Sequence, residues 1–494
     1  MIGSTTRRRG RRSGLIGTGV RIGAVAMAMA AGMLAAGAAL PAAAVEVSAD
    51  SGDEMTPELQ SRIQERIAAF QAKYGIVGVS VAVVTPSAGR TEPVVTRFAV
   101  GAPAQGSSTP VDSSTQFEIG SETKIFTTDL LTSLIAEGRV SLDDPVQKYA
   151  PAGITVPVWT DQQTGATTEI TLRDLATHQA GLPDSPLNYW EPCGTLTDCN
   201  PQPDYTQKML WHGLADHPLL WKPGTNWLYS NFGFGLLGTI LANVIAPTPE
   251  TEPPAYLSAL QGAFLDDLGM SSTLLGTGPR IATPYASDNS VSYYWDDTNA
   301  LAGEGGLVSD ADDMATWVEA HLGYGSAGAP LGVRTMADTL HPVSTITTMC
   351  SEPDVSSCTP VTDFQMGLGW QLYPGTSNGM GADWAFKNGG TAGFSTDTTL
   401  APSRGVGVTT MWNQQRAAGT DPELGTELLS LILNFRPAPA HGGDEHHDRG
   451  RDRRELAESG SDASAPLLAG FAAAALIAAG AILSVRRRGA AGPR

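Results

Sequence analysis

The sequence predicts a mixed α/β protein of the α+β kind: an antiparallel β-sheet flanked by helices, with a mainly helical region inserted into it. Three observations lead there. β-Branched, strand-like runs stand within residues 45–120, helical spacing and long Pro- and Gly-rich loops fill about 121–345, and strand-like runs return within 360–435. Strands at both ends with helices between them imply one sheet assembled from the two ends of the chain. A chain of 494 residues is ample for a large core, and it shows no internal repeat.

The elements follow in order. "ELQSRIQERIAAFQAKYG" places Leu59, Ile63, Ile67 and Phe70 on one side of a helix that Gly75 ends. "IVGVSVAVVTP" and "VVTRFAVG" read as an antiparallel pair of strands. "SETKIFTTDLLTSLIAEG" returns to helical spacing through Ile125, Leu130, Leu134 and Ile135 and stops at Gly138. From about residue 366 the runs "QMGLGWQLY", "WAFKNG", "GFSTDTTLAP" and "GVGVTTMWN" read as strands, and "PELGTELLSLILNF" as a closing helix.

The two ends describe an address. Residues 1–44 read as a signal peptide: arginines, then an Ala-rich apolar stretch, then "PAAAVE" with the small-residue pattern Ala42-x-Ala44 that a signal peptidase needs. Residues 436–465 are charged and lack apolar periodicity, so they read as a hydrated linker, its histidines His441, His446 and His447 included. Residues 466–494 hold an apolar run, Leu467 to Val485, followed by three arginines. About 20 apolar residues cross a bilayer, so this run is expected to be a transmembrane segment with its basic tail inside.

Charge and cysteines narrow the function class. The chain carries 31 basic and 50 acidic residues, net −19, and many of the arginines lie at its ends. Such a body repels phosphate backbones, which sets nucleic acid aside as a partner. Cys193 pairs naturally with Cys199, and Cys350 with Cys358, each within a short Pro/Ser/Thr-containing segment. Two local disulfides in an oxidising compartment are expected, because neither pair has a well-spaced histidine to make a metal site.

Six lysines occur in the chain, and Lys124 alone has a serine three positions before it. Helical spacing sets Ser121 and Lys124 on one face. A helix N-terminus offers positive potential where an oxyanion would form, and a serine needs a neighbouring base to become a nucleophile. Alone, this pattern also suits a capping serine beside a surface lysine. Two further motifs weigh against that. Tyr229-Ser230-Asn231 stands in "PGTNWLYSNFGFGLLG", and Lys387-Asn388-Gly389 in "FKNGGTAGF".

The ordered set S-x-x-K, Y-x-N and K-x-G resembles the penicillin-recognising serine hydrolases: class C β-lactamases, D-alanyl-D-alanine carboxypeptidases and related esterases. "FEIGSETKIFT", "LDDPVQKYAP", "LRDLATHQAGLP", "WKPGTNWLYSNFGFGLLG", "EGGLVSDADDMATWV" and "FKNGGTAGFS" extend the likeness through most of residues 75–435. It looks closest to carboxypeptidase/endopeptidase members of the AmpH type. The resemblance implies a β-lactamase/transpeptidase-like fold over residues 45–435 and an acyl-enzyme on Ser121, with Lys124 helping to remove its proton. It further implies Tyr229 as general base, its phenolate favoured by nearby ammonium groups, and Asn231 bonding both Lys124 and the substrate amide. Lys387 would supply positive potential. The backbone N–H groups of Ser121 and Gly390 would form the oxyanion hole, and Asn388, Gly389 and Thr391 would line the substrate. His178, in "LATHQAGL", is read as structural because the tyrosine and lysines already fill the role of base.

The expected substrate is a D-alanyl-D-alanine peptide of peptidoglycan type. A β-lactam, an ester, or a penicillin-binding module that acylates without turnover are the alternatives. Asn388 stands where β-lactamases carry a hydroxyl residue, which argues against a proficient β-lactamase. The loop 183–208, stapled by Cys193–Cys199, is expected near the mouth of the site. No metal and no organic cofactor are implied. "LAESG", Leu456 to Gly460, precedes the apolar run and resembles a sortase sorting signal with Ser459 in the threonine position. That resemblance implies a sortase as partner and a body held at the outer surface.

Overall fold

The computed structural model describes residues 55–87, 91–196, 199–375, 379–416 and 424–436. The expected signal peptide, linker, Ser459 and C-terminal apolar run lie outside the described residues. Among the described residues, no helix is long and apolar enough to cross a membrane.

Helix α1, Pro57–Tyr74, starts where Thr56 accepts the Leu59 amide and Pro57 occupies the first turn. Its buried stripe is Leu59, Ile63, Ile67 and Phe70. Strands β1, Gly78–Thr85, and β2, Val94–Gly101, pair antiparallel from Gly78↔Gly101 to Thr85↔Val94. Helix α2, Thr123–Ala136, is buried all round from Thr123 to Leu134, as befits a helix through the middle of a core. Helix α3, Asn231–Ile245, is capped by Ser230, whose Oγ accepts the Gly233 amide at 2.9 Å. Helix α4, Ala311–His321, is capped by Asp310, which accepts the Asp312 and Asp313 amides.

The remaining strands are β3 (Ser344–Cys350), β4 (Cys358–Met366), β5 (Gln371–Tyr373), β6 (Trp384–Gly390), β7 (Ser395–Ala401) and β8 (Val406–Trp412). Helix α5, Leu424–Asn434, follows them. The eight strands form one sheet in the order β2-β1-β8-β7-β6-β5-β4-β3, each neighbouring pair antiparallel. The N-terminal pair thus joins the C-terminal strands through β1 and β8, Val79 facing Trp412.

Each face of the sheet has its own core. Val79, Val81 and Val83 pack with α1 and α5 through Ile63, Ile67, Leu428 and Leu429. Ala82 and Val84 face the opposite way, into the core of α2, α3 and α4 with Phe126, Phe234 and Trp317. A period of two in the strand separates these layers. The fold is therefore a mixed α/β architecture with an antiparallel sheet and helices on both faces.

One boundary differs from the sequence reading. Strands resume at Ser344, well before residue 360, because "STITTMC" and "CTPVTDFQM" form a hairpin whose ends Cys350 and Cys358 are disulfide-bonded. Their Ser and Thr content reads as loop, yet these residues sit on a sheet edge where alternate Thr side chains face solvent. Cys193 and Cys199 are likewise bonded to each other.

Candidate active site

Ser121 lies in a single 3₁₀ turn, Gly120–Glu122, that leads into α2. Strand β6 presses on this turn so closely that two positions admit only glycine. A Cβ on Gly120, whose φ is 50°, would stand 2.6 Å from the Gly390 nitrogen, and one on Gly389 would stand 1.9 Å from the Ile119 oxygen. Thr396 Oγ1 of β7 also donates to the Ile119 oxygen at 3.0 Å. The turn carrying Ser121 is thereby fixed against the end of β6, and the main chain of Gly390 is brought beside the residue preceding the serine.

Lys124 has no solvent exposure. Its Nζ donates to Ser121 Oγ at 3.0 Å, Asn231 Oδ1 at 2.6 Å and the Glu304 carbonyl at 2.5 Å, and it lies 3.3 Å from Glu304 Oε2. The Tyr229 hydroxyl donates to Ser121 Oγ at 2.6 Å. Asn231 Nδ2 donates in turn to Asp184 Oδ1 at 3.1 Å. The serine oxygen is thus held by two donors from segments more than 100 residues apart.

The segment bearing Tyr229 is clamped from both sides. Trp227 exchanges backbone hydrogen bonds with β3, its N–H to the Thr348 carbonyl at 3.0 Å and its carbonyl accepting from Cys350 at 2.8 Å. Opposite, the His178 carbonyl accepts the Leu228 amide at 3.0 Å, and His178 Nδ1 accepts the Ser230 amide at 3.1 Å. His178 adopts the left-handed backbone (φ 59°) and its ring lies 4.6 Å from that of Tyr229. Burial, aided by Lys124 and Lys387, keeps this imidazole well below its ordinary pKa and hence neutral. It acts here as a brace.

Lys387 is buried on β6, with Nζ 5.6 Å from the centre of the Tyr229 ring and donating to the Asn388 carbonyl at 2.5 Å. Asn388 pairs with Asp397 in the sheet, and Asp397 accepts the Gly425 amide of α5 at 2.7 Å. The register therefore places Asn388 on the α5 face, opposite to that of Lys387, and not beside the lysine where its sequence position predicts that it lines the substrate. Thr391 is buried just past β6, its amide bonded to the Phe394 carbonyl.

The electrostatics differ from expectation at the tyrosine. Burial raises the Tyr229 phenol, and Lys124 only partly offsets that, so the net direction is upward. Burial opposes the charge on Lys124, but Tyr229 and Glu304 outweigh it, and the lysine ends above its ordinary value. The resting site thus holds an ammonium and a neutral phenol around the serine. The lysine charge cannot act on the tyrosine alone because Glu304 shares it.

Glu304 is the residue the sequence reading missed. It lies in the short helix Ala302–Gly305, within "EGGLVSD", where a carboxylate flanked by glycines was the available signal. Asp297 is fully buried nearby, and burial and Glu304 push its carboxyl well up. Among the described residues, no group of His, Cys, Asp and Glu is arranged to hold a metal ion.

This geometry can be set against known proteins. The chain is 27% identical over 293 residues to the D-alanyl-D-alanine-carboxypeptidase/endopeptidase AmpH of Escherichia coli (strain K12), which spans 59% of this chain and 69% of that one. It is 24% identical over 387 residues to a Beta-lactamase of Pseudomonas fluorescens, spanning 72% and 94%. A solved β-lactamase/D-alanine carboxypeptidase from Yersinia pestis shares the fold, with a TM-score of 0.57 at 22% identity over 76% of this chain and 98% of that one. A family model described as Beta-lactamase matches residues 63–431. With three quarters of its length accounted for in this way, the chain belongs to the Beta-lactamase family and is a serine hydrolase of that family.

Proposed function

We propose that the protein acts through an acyl-enzyme on Ser121 and that its substrates are D-alanyl-D-alanine peptides of the cell wall, cleaved in the manner of a carboxypeptidase/endopeptidase. One observation carries this reading: Ser121 Oγ is held at once by Lys124 Nζ at 3.0 Å and Tyr229 OH at 2.6 Å, with the Gly390 main chain packed against Gly120, the residue before the serine. Ser121 Oγ attacks the scissile carbonyl carbon. An O–C bond forms, and the serine proton passes into the Tyr229–Lys124 pair. Backbone N–H groups of Ser121 and Gly390 stabilise the oxyanion. The C–N bond then breaks as the pair returns that proton to the leaving amine, and water hydrolyses the resulting ester.

The peptide substrate is favoured by the likeness to the AmpH relative and by Lys387 beside Tyr229, which adds positive potential for a substrate carboxylate. Export through residues 1–44, a C-terminal tether within 466–494 and sortase processing at Ser459 complete the reading, since a body held at the outer surface stands beside that substrate.

Fluorescent-penicillin labelling of the full chain beside Ser121→Ala, followed in time, tests it together with D-alanine release from a D-Ala-D-Ala peptide. Stable label on the parent alone, with D-alanine release, is the expected result. Label that forms and decays without peptide cleavage would make the protein a β-lactamase. Stable label without D-alanine release would make it a penicillin-binding sensor. Short-chain ester cleavage alone would make it an esterase.

A further inference from the structure

The structure assigns Glu304 as a positioning residue for acylation: its carboxylate keeps the Lys124 charge local and sets the alkaline pH at which the Ser121 proton can be removed. The proposal rests on the acyl-enzyme reading of Ser121. Its geometry is specific. The Glu304 carboxylate lies 3.3 Å from Lys124 Nζ, the two side chains being 3% and 0% exposed, and the Glu304 carbonyl accepts a second bond from the same ammonium at 2.5 Å. A desolvated ion pair at this distance interacts strongly, because water does not screen it.

The other charged and titratable groups around Lys124 and Tyr229 do not share this place. Asp184 hydrogen-bonds Asn231 Nδ2 at 3.1 Å rather than the lysine, and its charge acts on Lys124 and Glu304 through space. Lys387 approaches from β6 and His178 from the segment behind Tyr229. Asp297 and Tyr189 are within electrostatic range of Glu304 but bond neither Lys124 nor Tyr229. Glu304 acts in the same direction on both partners of the serine, favouring the protonated form of the lysine and of the tyrosine. Whichever of them receives the Ser121 proton, the negative charge makes the deprotonated base scarcer at neutral pH. The buried acid therefore holds back the nucleophile while fixing the position of the ammonium that orients it.

The test is the pH profile of Ser121 modification in the full chain by an aryl fluorophosphonate. Its reaction forms the Ser121 Oγ–P bond and breaks the P–F bond, fluoride leaving and the serine proton passing to the base, independent of peptide or β-lactam preference. Parent, Glu304→Gln and Glu304→Asp are compared, with thermal melting read for each. Glu304→Gln should move the midpoint of the acid limb down by about one pH unit or more. Glu304→Asp, with a longer ion pair, should move it less in the same direction, and it decides the matter if Glu304→Gln does not fold. An unmoved midpoint in a labelled, folded variant overturns the role of Glu304 while leaving the acyl-enzyme reading intact. A parent that is unlabelled at every pH overturns both.

Discussion

The hydroxyl of Tyr229 meets Ser121 Oγ at 2.6 Å across 108 residues of sequence. Because Lys124 is already bonded to Glu304 and Asn231, Tyr229 is the partner of the serine best placed to move a proton. Tyr229→Phe should slow acylation about 10²–10⁴-fold while preserving the melting temperature, the usual weight of a lost general acid–base group. Single-turnover labelling measures it. An unchanged rate would remove Tyr229 from the proton path.

Gly120 and Gly138 both have positive φ, 50° and 71°, but a Cβ on Gly138 meets nothing within 4 Å whereas one on Gly120 meets the Gly390 nitrogen at 2.6 Å. Alanine at either position should cost about 1–2 kcal/mol for the left-handed backbone. Only Gly120→Ala should also displace β6 from the serine turn, and with it the acylation rate. Denaturant melts beside labelling rates separate strain from lost geometry; equal labelling by the two variants would count against a role for the β6 contact.

The Cys350–Cys358 bond closes the hairpin that hydrogen-bonds both the N–H and the carbonyl of Trp227, two residues before Tyr229. Replacing both cysteines by serine should cost about 2–3 kcal/mol by loop-closure entropy and should also slow acylation. The corresponding change at Cys193 and Cys199, whose bridge lies outside that clamp, should lower stability and leave the acylation rate near the parent's. A double-serine variant at 350 and 358 with full activity would show that the hairpin does not position the tyrosine.

Glu118 is buried, and that burial raises its carboxyl to about 7 against the Trp295 amide, which donates to it at 2.7 Å. The sign follows from linkage. Folding favours the protonated acid, so its contribution is fully present below the unfolded carboxylate pKa of about 4.3 and is lost as pH rises through 7. The loss amounts to roughly 3–4 kcal/mol. Glu118→Gln should flatten the decline in stability between about pH 4.5 and 7 that the parent shows, and equilibrium unfolding across that window checks it. Parallel curves for the two proteins would refute the assignment.

Much of the fold was legible because its signals are local. The apolar stripe of α1, the β-branched run of β1 and the helical spacing of α2 through Ile125, Leu130 and Leu134 are set within one element, whereas the burial of Thr127, Thr128 and Asp129 on the other sides of α2 comes from its place in the core. The β3–β4 hairpin was not legible, because its Thr- and Ser-rich strands owe their conformation to sheet pairing and to a disulfide rather than to their own pattern.

In the site the same division holds. The sequence by itself determined that Ser121 and Lys124 share a face, since three residues make nearly one helical turn, and that Y-x-N and K-x-G accompany them. Tertiary structure decided the rest. It put Asn388 on the α5 face through its register with Asp397, and it raised the Tyr229 phenol because burial outweighed the nearby ammonium. It also set Glu304 against Lys124 across 180 residues. Spacing carries no information about which distant carboxylate a folded core will leave beside a buried charge; only the packing of the chain against itself chooses that partner.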